Sequence, residues 1–142
     1  MENQFKSNYQ TTIKAKKEKV WDALTNPEIV KQYFFGSELK CNWEIGSPIY
    51  FRGEWEGQKY EDKGIVLAYI PNQFLSFSYL SNWSNLPDLP ENYLTITYEV
   101  KSIDEGTELT ITQTNYDEEK AKHSEENWAQ VMDGMKKLIE TN

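Results

Sequence analysis

At 142 residues the chain has the length of one domain, enough to bury roughly two-thirds of the surface its unfolded form exposes. A net charge of −8, a pI near 4.7 and a single arginine, Arg52, exclude a nucleic-acid binder, which needs clustered Lys and Arg, and make an anionic membrane surface repulsive. No apolar run approaches the roughly 20 residues of a membrane span, and the start MENQFKSNYQ lacks a secretory core, so a cytoplasmic protein is expected.

From Phe5 to Ala15 the odd positions Phe5, Ser7, Tyr9, Thr11, Ile13 and Ala15 alternate with Lys6, Asn8, Gln10, Thr12 and Lys14, a first strand with one buried face. Val20, Trp21 and Leu24 then fall at helical spacing. Asn26-Pro27-Glu28 ends that short helix and caps a second one, because Pro fits only a first helical turn. The second helix carries Ile29, Val30, Tyr33 and Phe34 on one face, and Gly36 stops it in the left-handed conformation.

Between Ser37 and Asn115 the period returns to two. The apolar sets are Leu39, Cys41, Trp43; Ile49, Phe51, Gly53, Trp55; Ile65, Leu67, Tyr69; Leu75, Phe77, Tyr79; Ile96, Tyr98, Val100; and Leu109, Ile111. Six more strands follow, and the tight turns at Gly46-Ser47-Pro48, Glu56-Gly57-Gln58, Pro71-Asn72 and Asp104-Glu105-Gly106 make them an antiparallel meander. The long gap from Ser81 to Glu91 reads as a rim loop, whose Trp83, Leu86 and Leu89 could pair two copies, so monomer and dimer both stay open.

The last segment places Ala121, Ser124, Trp128, Val131, Met132, Met135, Leu138 and Ile139 at spacings of three and four. Asn115 and Glu118 fit a capping box, followed by a helix from Asp117 to about Glu140. At 1.5 Å per residue it runs on the order of 36 Å, long enough to cover the sheet. The predicted fold class is α+β, a curved seven-stranded antiparallel sheet around a long C-terminal helix, with two short helices after strand one plugging an end. Residues 1–142 are read as one domain.

Five Trp, nine Tyr and six Phe carry the burial in a chain only 38% hydrophobic. Rigid rings meeting flexible methionines leave gaps, so the layout predicts a cavity between sheet and helix. Its candidate lining is Trp43, Phe51, Trp55, Phe77, Tyr79, Ile96 and Tyr98 from the sheet, Trp128, Met132 and Met135 from the helix, and Tyr33 and Phe34 from the plug. Gly53, in an inward register, leaves further room. Strand parity makes Gln113 and the phenols of Tyr79 and Tyr98 the inward polar groups, and places no carboxylate or Lys on an apolar face.

Other chemistry finds little support. Cys41 is alone, which leaves no intramolecular disulfide and no cysteine-based metal site. The one histidine, His123, sits among charged residues early in the last helix and reads as solvated or capping. Glu54, Glu56, Glu61 and Asp62 cluster without calcium-loop spacing and read as a solvated acidic turn. The seven glycines are scattered singly at turns, so no phosphate cradle exists. The Asn82-Trp83-Ser84 triplet matches a glycosylation acceptor but has no secretory context. No catalytic residue, metal or cofactor is expected.

The run Val20-Trp21-Asp22-Ala23-Leu24-Thr25-Asn26-Pro27-Glu28, the strand start Gly46-Ser47-Pro48-Ile49-Tyr50-Phe51, the strand Gly64-Ile65-Val66-Leu67 ending before Pro71, and Gly106-Thr107-Glu108-Leu109-Thr110 closing on Trp128 resemble the START-like, SRPBCC superfamily. Within it the chain is most similar to bacterial homologues of the C-terminal domain of the activator of heat-shock protein 90 ATPase. Tyr33-Phe34 stands where that family often has a tryptophan, and Asn127 where a glycine often precedes the helix tryptophan. The resemblance implies a helix-grip fold of the birch-pollen-allergen-like kind with a hydrophobic cavity under the long helix. Three functions are then expected to compete: binding of a small apolar or aromatic ligand, a chaperone-associated stress-response role, and catalysis on a hydrophobic substrate.

Overall fold

The computed structural model describes residues 5–34, 36–82 and 85–140, the side chain of Trp55 excepted. Trp83 of the expected rim pair and the Trp55 side chain therefore lie outside the described residues. Strand β1 (Phe5–Ile13) is followed by helices α1 (Lys17–Thr25) and α2 (Pro27–Tyr33). Strands β2 (Glu38–Cys41), β3 (Pro48–Trp55), β4 (Gln58–Ile70), β5 (Phe74–Tyr79), β6 (Leu94–Ile103) and β7 (Gly106–Asn115) come next, then the 23-residue helix α3 (Glu118–Glu140). The strands form one antiparallel sheet in the order β1-β7-β6-β5-β4-β3-β2, a meander whose first strand closes onto its last.

Local chemistry accounts for the joints. Asn26 ends α1 and accepts the Glu28 backbone N–H at 3.0 Å, so one side chain caps α2 while Pro27 takes its first turn. Glu56 and Gly57 both have positive φ, 50° and 81°, the type I′ geometry of a two-residue hairpin between β3 and β4. The cap of α3 differs from the sequence expectation. Asp117 accepts the Lys120 N–H at 2.8 Å, while Asn115 is buried at the end of β7 and spends its side chain there. α3 also seals an edge of the sheet: Glu125 accepts the Asn8 N–H at 3.2 Å and Glu140 the Lys14 N–H at 2.8 Å.

The expected inward sets hold for β5, β6 and β7 and fail in β4. Ile65 and Leu67 are 46% and 47% exposed, whereas Asp62, Gly64 and Val66 are the inward positions. A bulge between Val66 and Ala68 then resets the parity, placing Val66 opposite Phe77 and Tyr69 opposite Leu75. The run Gly64 to Ala68 is apolar at nearly every position, so periodicity alone could not assign its faces. Gly64 is fixed by close approach, since a Cβ there would sit 1.6 Å from the Ser78 carbonyl oxygen. Gly53 leaves no free room, because the Tyr60 ring covers it, held by a 2.6 Å bond between the Tyr60 and Ser37 hydroxyls.

Candidate functional site

The inward rings of the sheet, the end of α2 and the first half of α3 line a partly open cavity of about 470 Å³. Five aromatic side chains contact one another in a closed circuit along its wall. Phe34 stacks on Phe51 at 5.6 Å between centroids, Phe51 meets Phe77 at 5.9 Å, and Phe77 meets Tyr98 edge-on at 5.7 Å. Tyr98 meets Trp128 edge-on at 5.8 Å, and Trp128 returns to Phe34 at 6.1 Å. Tilted and edge-to-face pairs of this kind favour one another beyond their area burial, so the circuit is a stiff frame. Tyr79, Leu94, Ile96 and Val131 complete the apolar lining.

One flank is polar and self-satisfied. Gln113 Oε1 accepts the Trp128 indole N–H at 2.9 Å, and Gln113 Nε2 donates to Asn115 Oδ1 at 3.1 Å. Asn115 Nδ2 donates in turn to the carbonyls of Gln113, at 3.0 Å, and Phe5, at 3.3 Å. Ser7 Oγ donates to Ser124 Oγ at 3.0 Å, tying β1 to α3 behind this flank. Ser81, Tyr116, Lys120, His123 and Asn127 supply the remaining polar lining. His123 touches the cavity while its side chain stays 66% exposed, 3.8 Å from Glu119.

The β4 parity has a chemical consequence. Asp62, which the alternation pattern put on the outside, is only 8% exposed and lies behind Tyr79. Its Oδ2 accepts the Tyr79 hydroxyl at 2.5 Å and its Oδ1 the Asn82 N–H at 2.8 Å. Burial raises the Asp62 pKa above the ordinary carboxylate range, and the hydrogen bonds from Tyr79 and Asn82 oppose that rise. Burial also pushes the Tyr79 phenol well up, with the Asp62 charge beside it acting in the same direction.

Of the sequence-derived lining, Phe34, Phe51, Phe77, Tyr79, Ile96, Tyr98, Gln113 and Trp128 surround this space. Four residues do not. Met132 and Met135 are fully buried further along α3, in solid core. Trp43 follows the end of β2 with a φ of 63°, which turns its ring onto Tyr69 at 5.6 Å. Tyr33 turns back to its own helix pair and donates to the Ala23 carbonyl at 2.7 Å. Alternation missed Asp62 for the reason given above. The sequence put Ser124 on the gripping face of α3, Asn115 in a capping box and Asn127 at a departure from the family pattern, and named none of them as lining because pattern arguments look for apolar residues.

A curved antiparallel sheet gripping a long C-terminal helix over a cavity defines the helix-grip, START-like class. The family described as activator of Hsp90 ATPase homolog 1-like protein matches residues 14–140. The chain belongs to that family. Its structure superposes on the solution structure of ChR145 from Cytophaga hutchinsonii with a TM-score of 0.85 at 42% identity, over 99% of this chain and 97% of that one. The protein MLL2253 from Mesorhizobium loti (TM-score 0.76, 20% identity, 96% of this chain and 98% of that one) shares the fold. So does the Aha1 dimer from Colwellia psychrerythraea (TM-score 0.74, 20% identity, 96% and 97%). No curated protein matches the sequence. No helix among the described residues is long and apolar enough to cross a membrane.

Proposed function

We propose that this chain is a cytoplasmic, single-domain binding protein for a small apolar or aromatic molecule held between the sheet and α3. The observation that carries this reading is the cavity of about 470 Å³ framed by the five-ring circuit, within the roughly 300–1,000 Å³ range of small-molecule sites. A framework of mutually contacting rings keeps such a space open at little entropic cost when a ligand enters.

Thermal melting with a panel of fatty acids, sterols and polycyclic aromatics tests it. At least one class should raise Tm in a concentration-dependent way, because a ligand that binds only the native state stabilises it by mass action. Val131→Phe, which projects a ring into the cavity, should keep the fold and abolish that rise. A panel with no shift, or a shift untouched by Val131→Phe, sinks the reading.

The family description favours a second reading, a chaperone-associated role through contact with a heat-shock ATPase. A pull-down that recovers no such ATPase, together with no stimulation of ATP hydrolysis on mixing, removes it.

A further inference from the structure

The phenols near the cavity differ in one respect. Tyr33 donates to Ala23, Tyr79 to Asp62, and Tyr116 to the Asn92 carbonyl at 2.7 Å. Tyr98 is only 4% exposed and touches Phe77 and Trp128 through its ring, yet no hydrogen bond engages its hydroxyl among the described residues. A buried O–H normally finds a partner, and the exception calls for an account. Trp21 Nε1 is the only side-chain nitrogen or oxygen among the described residues that is both sealed from solvent and unpartnered. The Tyr98 oxygen, unpartnered but not sealed, therefore opens onto the cavity its residue lines.

The surroundings give this hydroxyl its selectivity. Its ring contacts in the frame are Phe77 and Trp128, the phenols of Tyr33 and Tyr79 within electrostatic reach already donate elsewhere, and the nearby amides of Gln113 and Asn115 bond to each other and to Trp128. Burial alone drives the Tyr98 pKa upward, so at neutral pH the group is a donor and not a phenolate. What this hydroxyl lacks is a partner among the described residues, at the centre of an aromatic wall.

We propose that Tyr98 is a specificity-determining residue whose hydroxyl donates to a carbonyl oxygen on an otherwise apolar, ring-sized ligand, so that the cavity selects ketones and quinone-like molecules over the matching hydrocarbons. This rests on the binding reading above and narrows its ligand class. Leaving the donor unpaired against a hydrocarbon is penalised, which is how a site built around one hydrogen bond discriminates more sharply than apolar fit does.

The test is a matched pair of probes, 9-fluorenone and fluorene, which share a skeleton and differ in the carbonyl. Binding is followed by quenching of tryptophan fluorescence and by calorimetry on the whole chain. Wild type should bind fluorenone about tenfold or more tightly than fluorene. Tyr98→Phe should bring the two affinities to within about twofold, chiefly by weakening fluorenone. The infrared carbonyl band of bound fluorenone should lie at lower wavenumber in wild type than in a hydrocarbon solvent, a readout that needs no variant. Equal binding of both probes by wild type, an unshifted carbonyl band, or a preference that survives Tyr98→Phe overturns the proposal and leaves the cavity reading standing. Binding of neither probe, with no compound of the melting panel bound either, overturns both.

Discussion

Helix α3 covers two interiors of opposite character. Its first half, through Ser124, Trp128 and Val131, faces a cavity with a polar flank, whereas Met132, Met135 and Ile139 in its second half belong to solid core. Burial does not separate the two, since Trp128 is 7% exposed and Ile139 4%. The polar partners do. Gln113 and Ser7 hold the α3 side chains Trp128 and Ser124 by hydrogen bonds of 2.9 and 3.0 Å, and Asn115 braces Gln113 from behind. Where the helix carries methionines, flexible thioethers fill the irregular gaps.

The largest effect should come from the solid end. Met132→Ala removes a side chain with no exposed surface and should cost about 2–5 kcal/mol of unfolding free energy. It should leave probe affinity in the cavity within about twofold once the fraction folded is accounted for. Urea unfolding and titration of the same sample measure both. A large loss of affinity in a folded Met132→Ala variant would break the division into two interiors.

A smaller effect is expected at the flank. Gln113→Leu keeps the approximate volume but strands the Trp128 indole N–H, and an unsatisfied buried donor costs about 1–3 kcal/mol. Asn115 loses its Gln113 donor in the same change. The outcome that marks the flank as a positioning device is a shift in the Trp128 emission maximum alongside the stability loss. Stability loss with an unchanged emission maximum would mean that Gln113 acts only as filler.

The sequence carried the architecture because periodicity reports which face is buried, and it did so for β5 to β7, for α3 and for the α1–α2 joint at Asn26-Pro27. Phe34, Phe51, Phe77, Tyr98 and Trp128 were legible as inward rings for the same reason. Their closure into a circuit was not, because ring orientation depends on packing between elements distant in the chain. Trp43 was misplaced by one backbone torsion, a positive φ that a non-glycine residue seldom adopts and that alternation does not encode. Asp62 was misplaced by a single bulge. A one-residue change of register moves every following side chain to the other face, and an unbroken apolar run conceals where that change occurs.

Asp62 also yields the smallest and most discriminating expectation, because the cavity end has a buried carboxyl and the methionines contribute none. Burial raises its folded pKa above the unfolded value of about 3.9. The native state therefore keeps this proton at pH values where the unfolded chain has released it. By linkage the stabilisation is fully present below the unfolded pKa and is lost as pH rises through the folded one. Asp62→Asn cannot release a proton and keeps an oxygen for the Tyr79 hydroxyl, so it lacks this loss. Unfolding free energies of wild type and Asp62→Asn, measured from about pH 4 to pH 7, should show wild type losing ground to the variant as pH rises. Met132→Ala, compared with wild type over the same range, should show a constant offset. Wild type gaining on Asp62→Asn with rising pH would mean that the donors Tyr79 and Asn82 outweigh burial, and that this carboxylate is held ionised behind Tyr79.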